Sequence, residues 1–528
     1  MSSGAEAGDV SWSVHPTNNP QVANFTITLP PNTTVTVDFG TDTTYGRSTA
    51  SVPAPPGGGT VSVLVAGMLP STTYRMRGRI QLQDGRFLST RDLTFPTGPL
   101  PIGILPSLTA ATANGQTPSF GVELVNVIDP IGLSVVTDLA GNIIWYYNNI
   151  SDKSWKGYAF PIRPLKNGNM LASITNLYMP GVPKTIPYNS VLREIDLAGD
   201  PVRELYLADL KVALSTLKTP QGSIVDPLVY SHDVFPLRNG HTILIVQQRK
   251  KVNLTLPPGP GVFDVLGDAL VDLDENFKPV WVWSAFDNLD PDRHPYEFDK
   301  VPDHWDWTHC NCVLLTPDGN LLLSTRSQNW LLKLNYKNGS GDGTILWKLG
   351  YQGDFTLTGD FTADTDWFFA QHFPHILAAT DTQITTLSVM DNGNDRCFAM
   401  PGGCTATNPA PPPPFTRGAI FTIDETAMTA RLAWQYPITL FGQTPPVAAY
   451  SFWGGNVMQH QNGNIEICAS EPVKIGSQIP QKDAPSQVIE LTPPPGSPQT
   501  VWQMQVTTGG AYRAYRLPSL YPGIIWTK

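Results

Sequence analysis

Two kinds of turn alternate along this chain, and their alternation limits the fold more than any other feature. The first kind is a short strand entering an Asn-Gly-like turn: residues 165–170 (LKNGNM), 237–242 (LRNGHT), 316–321 (TPDGNL) and 460–465 (HQNGNI), with 379–384 (ATDTQI) a degenerate fifth. Such dipeptides accept the positive φ that tight hairpins require. The second kind leads into a strand that often carries Trp: residues 138–145, 196–207, 272–283, 335–347, 424–434 and 490–502. These six recur at intervals of roughly sixty to ninety residues, as in propeller blades with insertions. The five turns of the first kind fall in the gaps between the six. A sixth hairpin forms if the C-terminal segment pairs with the first repeat. The pattern therefore predicts an all-β chain whose residues 107–528 form a six-bladed β-propeller closed by its own C-terminus.

Residues 1–97 follow a different rule. VSWSV, NFTITL, TVTVDFGT, TVSVLVAGM and TYRMRGRIQL are alternating strands separated by Pro, Asn and Gly clusters. The stretch LPSTTY at 69–74 resembles the tyrosine-corner region of fibronectin type III-like sandwiches, so an N-terminal β-sandwich is expected. Residues 98–106 lie within a Pro/Gly-rich linker. Three insertions stand out in the larger unit: 253–304, 351–369 and 396–417. Loops of that length in a compact domain are usually functional or disordered.

Fifty Pro, forty-five Gly and only 15% charged residues suit a chain of strands and turns. The net charge of −10 argues against a nucleic-acid partner and requires any anion site to be locally positive. No run reaches the ~18 apolar residues needed to span a bilayer, so no membrane insertion is expected. The first residues lack the basic and apolar regions of a signal peptide, which leaves open both a cytoplasmic protein and a processed, exported one. Cys397 and Cys404 flank a short Gly-containing loop and are expected to form a disulfide, which implies an oxidising compartment. Cys310, Cys312 and Cys468 read as buried thiols, and no metal site is expected at Cys310-x-Cys312 because no second Cys pair completes one.

The chemistry concentrates in 303–326, DHWDWTHCNCVLLTPDGNLLLSTR, read as one antiparallel hairpin. His309 and Asn311 open it and Arg326 closes it, which brings an imidazole, an amide and a guanidinium together as an anion site. Register extends the set. His232 lies seven residues before Asn239 and Asn311 seven before Asp318, while His309 and His372 lie nine before Asp318 and Asp381. Seven and nine share a parity, so on regular strands these side chains leave by one face. At equivalent places in successive blades that face lines a central channel, where His232, His309 and His372 would converge. His375 falls on the opposite face and reads as structural; His15, His241 and His460 read as exposed. His294 and His304 lie in the first insertion. Trp305, Trp307 and the run 367–369 are candidate apolar walls for an aromatic substrate.

At these residues the chain resembles the bacterial arylsulfate sulfotransferases that do not use the nucleotide donor PAPS. The matching pieces are His232-Asp233 with its NGH turn, His309-x-Asn311, Ser324-x-Arg326, Gln371-His372, SVMDNGNDR at 388–396 and YRAYR at 512–516. The resemblance implies a small N-terminal β-sandwich and a six-bladed propeller. It also implies a periplasmic or secreted and often dimeric enzyme, hence a homodimer, with no cofactor. Its substrates would be an aryl sulfate donor and a phenolic acceptor, linked by a ping-pong mechanism through a sulfated histidine. Carried over, His372 is the histidine that is sulfated, and His232, His309 and Arg326 hold the sulfate. Asn311 and Gln371 are further substrate-binding positions, and 451–455 (SFWGG) is where one more contact is expected. Two other classes fit a polar propeller channel: a calcium-dependent hydrolase or lactonase, which needs channel Asp, Glu and Asn, and a binding module whose histidines do no chemistry.

Overall fold

The computed structural model describes all residues except 1–10, 129–131, 148–156, 177–188, 256–259, 294–299, 302–303, 395, 401–414, 478–483 and 527–528. Near the N-terminus, a three-stranded sheet (Trp12–Pro16, Ala23–Leu29, Gly59–Val65) and a larger one built on Thr34–Gly40 and Thr73–Gln81 share a core. Their strands alternate buried residues with partly buried or exposed ones, as sheets with one wet face do. The Leu69 N–H donates to the Tyr74 hydroxyl at 2.9 Å, so Tyr74 reaches back to the chain just upstream of its strand.

From Leu108 onward, among the described residues, the order changes to six large, mainly antiparallel sheets and one two-stranded sheet; the six are taken in chain order. Sheet one holds Val122–Val127, Leu133–Thr137 and Ile143–Tyr147; sheet two runs from Tyr158–Pro164 to Pro201–Tyr206. Sheets three, four, five and six begin with Val229–Pro236, Cys310–Leu315, His372–Ala379 and Asn456–Gln459. Many of these strands are buried along their whole length, because each sheet is covered on both faces by its neighbours. The C-terminal strand Ala511–Leu517 joins sheet one beside Val122–Val127, and Leu108–Thr112 joins the outer edge of sheet six. First strands of consecutive sheets pack together from two to six, then onto Ala511–Leu517, and sheet one packs on sheet two. The series of contacts returns to its start.

Both turn types have a structural place. Each Asn-Gly-like turn joins the first and second strands of a sheet; each turn of the second kind joins the third and fourth. The repeated Trp clips one sheet to the next. Trp145 of sheet one donates its indole N–H to Leu197 O at 2.8 Å, in the outer turn of sheet two. Trp283 of sheet three reaches Gly343 O in sheet four, Trp347 of sheet four reaches Glu425 in sheet five, and Trp502 of sheet six reaches Leu139 O in sheet one. A buried indole N–H needs an acceptor, and these turns supply it.

Some expectations are corrected. The excursion at 253–304 is partly strand: Thr242–Leu254 and Gly261–Leu273 pair along their full length in sheet three. His460 is not exposed; its ring lies buried 3.1 Å from Glu466. His241 is half-buried, with Nδ1 3.0 Å from Asp272. The side chains of His294 and His304 lie outside what is described.

Candidate active site

Four sequence-selected side chains meet where the first strands of sheets three, four and five come together. The rings of His232 and His309 lie 4.4 Å apart, and His372 and Arg326 are close enough to act electrostatically on His232. The strands that carry them are not regular, however. Pairing slips between Tyr230 and Val234, between Cys310 and Cys312, and between His372 and His375. His232 and His309 themselves have positive φ, 20° and 46°. Each bulge re-aims the side chain beside it, so convergence comes from three irregularities at one level of the fold and not from strand parity.

His372 is held at both ring nitrogens. The Asn392 amide donates through Nδ2 to Ser451 O (2.8 Å) and Gly454 O (3.1 Å), which turns its Oδ1 toward Nδ1 of His372 at 2.8 Å. Nδ1 therefore carries the proton and Nε2 the lone pair. The Gly454 N–H approaches that lone pair at 3.2 Å. Only glycine suits position 454, where φ is 61° and a Cβ would lie 2.4 Å from Ser470 Oγ. Burial, then the Arg326 charge, holds the His372 pKa well below the usual value. His232 is lowered in the same direction, by burial and then by the charges of His309 and His372. Both rings are thus neutral at pH 7.

The other imidazole partners differ. His309 Nδ1 lies 2.5 Å from the Asp306 carboxylate, whereas His232 Nδ1 lies 2.7 Å from the Ser231 hydroxyl. Arg326 is buried and directs Nη2 to Phe452 O at 3.5 Å, so the expected segment 451–455 does border the site. Asn311 is buried with Nδ2 given to Gln371 O at 2.7 Å, leaving one amide N–H to offer. The Gln371 side chain does not join the cluster as expected. Its amide donates to Ser324 Oγ, Thr325 O and Trp330 O, bracing sheet four.

Tyr512 and Arg513, on the strand that pairs with Val122–Val127, also reach the site. The Tyr512 ring is 6.1 Å from both His232 and His372, and its buried hydroxyl has no hydrogen-bond partner among the described residues. Arg513 donates to Asp233 at 3.0 Å and to Asn311 O, while Arg163 donates to the same carboxylate at 2.7 Å. Burial pushes the Asp233 pKa up, but the two arginines outweigh it and hold the carboxyl below its usual range. The repeated Tyr and Arg of YRAYR were the available signal.

The aromatic residues nearest His372 are not those singled out in the sequence as candidate walls. Trp367 and Phe368 pack on Phe421 in the core and Trp307 packs on Phe286, whereas Tyr158, Phe160, Trp453 and Tyr512 form the aromatic cluster beside His372. Cys310, Cys312 and Cys468 are buried free thiols, and Cys397 is disulfide-bonded; Cys404 lies outside the described residues. Among the described residues, no group of three or more His, Cys, Asp or Glu could hold a metal ion.

Among solved structures, the chain resembles an ACO/RPE65 chimera at 9% identity, with 96% of each chain covered and a TM-score of 0.31. It also resembles the NanB sialidase of Streptococcus pneumoniae at 7% identity, covering 94% of this chain and 98% of that one, with a TM-score of 0.28. Likenesses this weak carry no argument. No curated protein matches the sequence. The family model described as Arylsulfotransferase (ASST) matches residues 120–516. That span starts just before the first strand of sheet one and ends within its closing strand, and it takes in every histidine, arginine and amide of the cluster. The chain belongs to the arylsulfotransferase (ASST) family and is a sulfotransferase.

Proposed function

We propose that the chain moves a sulfuryl group from an aryl sulfate to a phenolic acceptor by two displacements through His372, without PAPS. The observation that carries this reading is the locked His372 ring: Nδ1–H on Asn392, the Nε2 lone pair toward the Gly454 N–H, and Arg326, His232 and His309 close enough to act on it. A neutral imidazole is a competent nucleophile, and a covalent intermediate divides one hard step into two. Sulfuryl transfer has a loose transition state, with charge on the equatorial oxygens and the leaving phenolate, so fixed donors do most of the work. Arg326 gives two parallel hydrogen bonds to the sulfonate and Asn311 one. The Gly454 N–H, beside Nε2, passes to a sulfonate oxygen once the N–S bond forms. Trp453, Phe160 and Tyr512 supply an aromatic wall for the phenol rings.

In this reading the six sheets are the blades of a propeller around the site, and the N-terminal sheets form a fibronectin III-like sandwich. The series of contacts among first strands and the Tyr74 contact support it. The enzyme works in the periplasm or outside the cell, as a homodimer, in keeping with the disulfide at Cys397. Incubation with an aryl sulfate and no acceptor should add about 80 Da to the intact protein, on His372, as a covalent intermediate requires. A phenol should discharge the label, and His372→Asn should abolish both label and transfer. Transfer without any label, under sequential kinetics, would overturn the mechanism.

A further inference from the structure

We propose that Asp306 and Asn392 are positioning residues that divide the chemistry between two imidazoles, making His309 the proton carrier and leaving His372 the nucleophile. The inference rests on the sulfotransferase reading and adds how that site assigns its roles. Three histidines meet there, and each has a different partner on Nδ1: a carboxylate for His309, an amide for His372 and a hydroxyl for His232. A carboxylate at 2.5 Å stabilises the imidazolium, so His309 can take and hold a proton on Nε2. An amide oxygen fixes the ring but carries no charge. Asn392 therefore keeps the His372 lone pair on Nε2, where it faces the Gly454 backbone N–H at 3.2 Å, and cannot accept the Nδ1 proton. His309 is also the more accessible member of its pair, with 18% of its side chain exposed, and can exchange its proton with solvent.

The steps balance. His372 Nε2 attacks sulfur, the N–S bond forms, and the bond from sulfur to the aryl oxygen breaks with its electron pair going to that oxygen. His309 Nε2–H gives its proton to the leaving oxygen, and a phenol departs. The sulfated His372 ring keeps its Nδ1 proton on Asn392, so it remains a cationic imidazolium and a good leaving group. In the second half, neutral His309 takes the proton of the incoming phenol as its oxygen bonds to sulfur, and the N–S electrons return to Nε2.

Among the described residues, the charged and titratable groups near the pair include Asp268, which accepts from Thr308 and from the Cys310 N–H, then Cys310, His232 and His372, with Arg326 and Arg513 acting on those two histidines.

The test uses the full chain and a series of aryl sulfates whose phenols differ in acidity, followed by turnover and by intact mass. Asp306→Asn should lower turnover of phenyl sulfate by ~10²-fold or more, and that of a nitrophenyl sulfate by less than ~10-fold, because acidic phenols leave without a proton. In the His309→Gln background the Asp306→Asn change should add little, since Asp306 acts through that ring. Asn392→Asp should slow discharge of the sulfated protein by phenol. An equal loss for all leaving groups, or losses that add in the double variant, would make Asp306 merely structural and overturn the proposal. If Asp306→Asn does not fold, His309→Gln alone must show the same leaving-group dependence, and a uniform loss there overturns it equally. Absence of any sulfuryl adduct in the wild type is a separate outcome: it removes the sulfohistidine reading beneath.

Discussion

Arg326 and Asn311 stand on either side of one bulged hairpin, yet their substitution should have unequal effects. Arg326→Lys keeps the charge but loses the planar pair of parallel donors, so kcat should fall by ~10²–10³-fold in a folded protein. Asn311→Ala removes a neutral amide that already gives one N–H to Gln371 O, and should cost ~10-fold or less. Steady-state kinetics beside circular dichroism checks both; near-normal turnover in Arg326→Lys would take Arg326 off the sulfonate. At this scale the sequence was legible where residue type alone limits the chemistry, as for His232, His309, His372 and Arg326. It placed Asn392 and Asp306 inside matched or singled-out stretches but gave neither a role, because polar residues near a histidine are common and only a distance makes one a partner. It misled for Gln371 and His460, whose side chains are spent on buried contacts that spacing cannot show.

The elements of the site are strands broken at one level, and a single buried carboxylate ties them together. Asp233 on the first strand of sheet three accepts from Arg163 of sheet two and Arg513 of the closing strand, and takes the Val313 N–H of sheet four at 3.2 Å. Asp233→Ala would leave two arginines buried without their anion, at a cost of about 3–5 kcal/mol, and the unfolding midpoint in denaturant should drop accordingly. Because the folded Asp233 pKa lies below its ordinary value, its contribution is present above that ordinary value and is lost as pH falls through the folded one. A loss under ~1 kcal/mol would mean the arginines find other anions or water. Turn positions were readable because Asn-Gly and Asp-Gly chemistry is local. The bulges were not, since they are fixed by bonds such as those of Asp233 and Asn311 to segments far away in sequence. The parity argument reached the right residues because bulges recur at one level in sheets three, four and five.

At the scale of the whole molecule, the two ends of the larger unit meet where the C-terminal strand pairs with sheet one, and that seam contains a buried charge cluster. Arg516 donates to Glu123 at 2.7 Å and to Glu490 at 3.2 Å and lies 3.3 Å from Glu466, whose other neighbour is His460. Three carboxylates thus share one arginine and one histidine away from water. Burial first, and the charge of Glu466 next, push the Glu123 pKa well above its usual value, more than Arg516 lowers it. Glu466 is held below its usual value: burial raises it, but His460 and Arg516 prevail. Glu123 therefore keeps its proton to a higher pH in the folded protein than in an unfolded chain. A raised folded pKa has a definite sign: the stability is full below the unfolded pKa and declines as pH rises from there toward the folded value. Glu123→Gln keeps an acceptor for Arg516, supplies a permanent N–H and removes the titration. Its melting temperature should match or exceed that of the wild type near pH 8, and should fall less between about pH 5 and pH 8. Equal losses of melting temperature at both pH values would show that position 123 holds no proton and that the seam needs its charge.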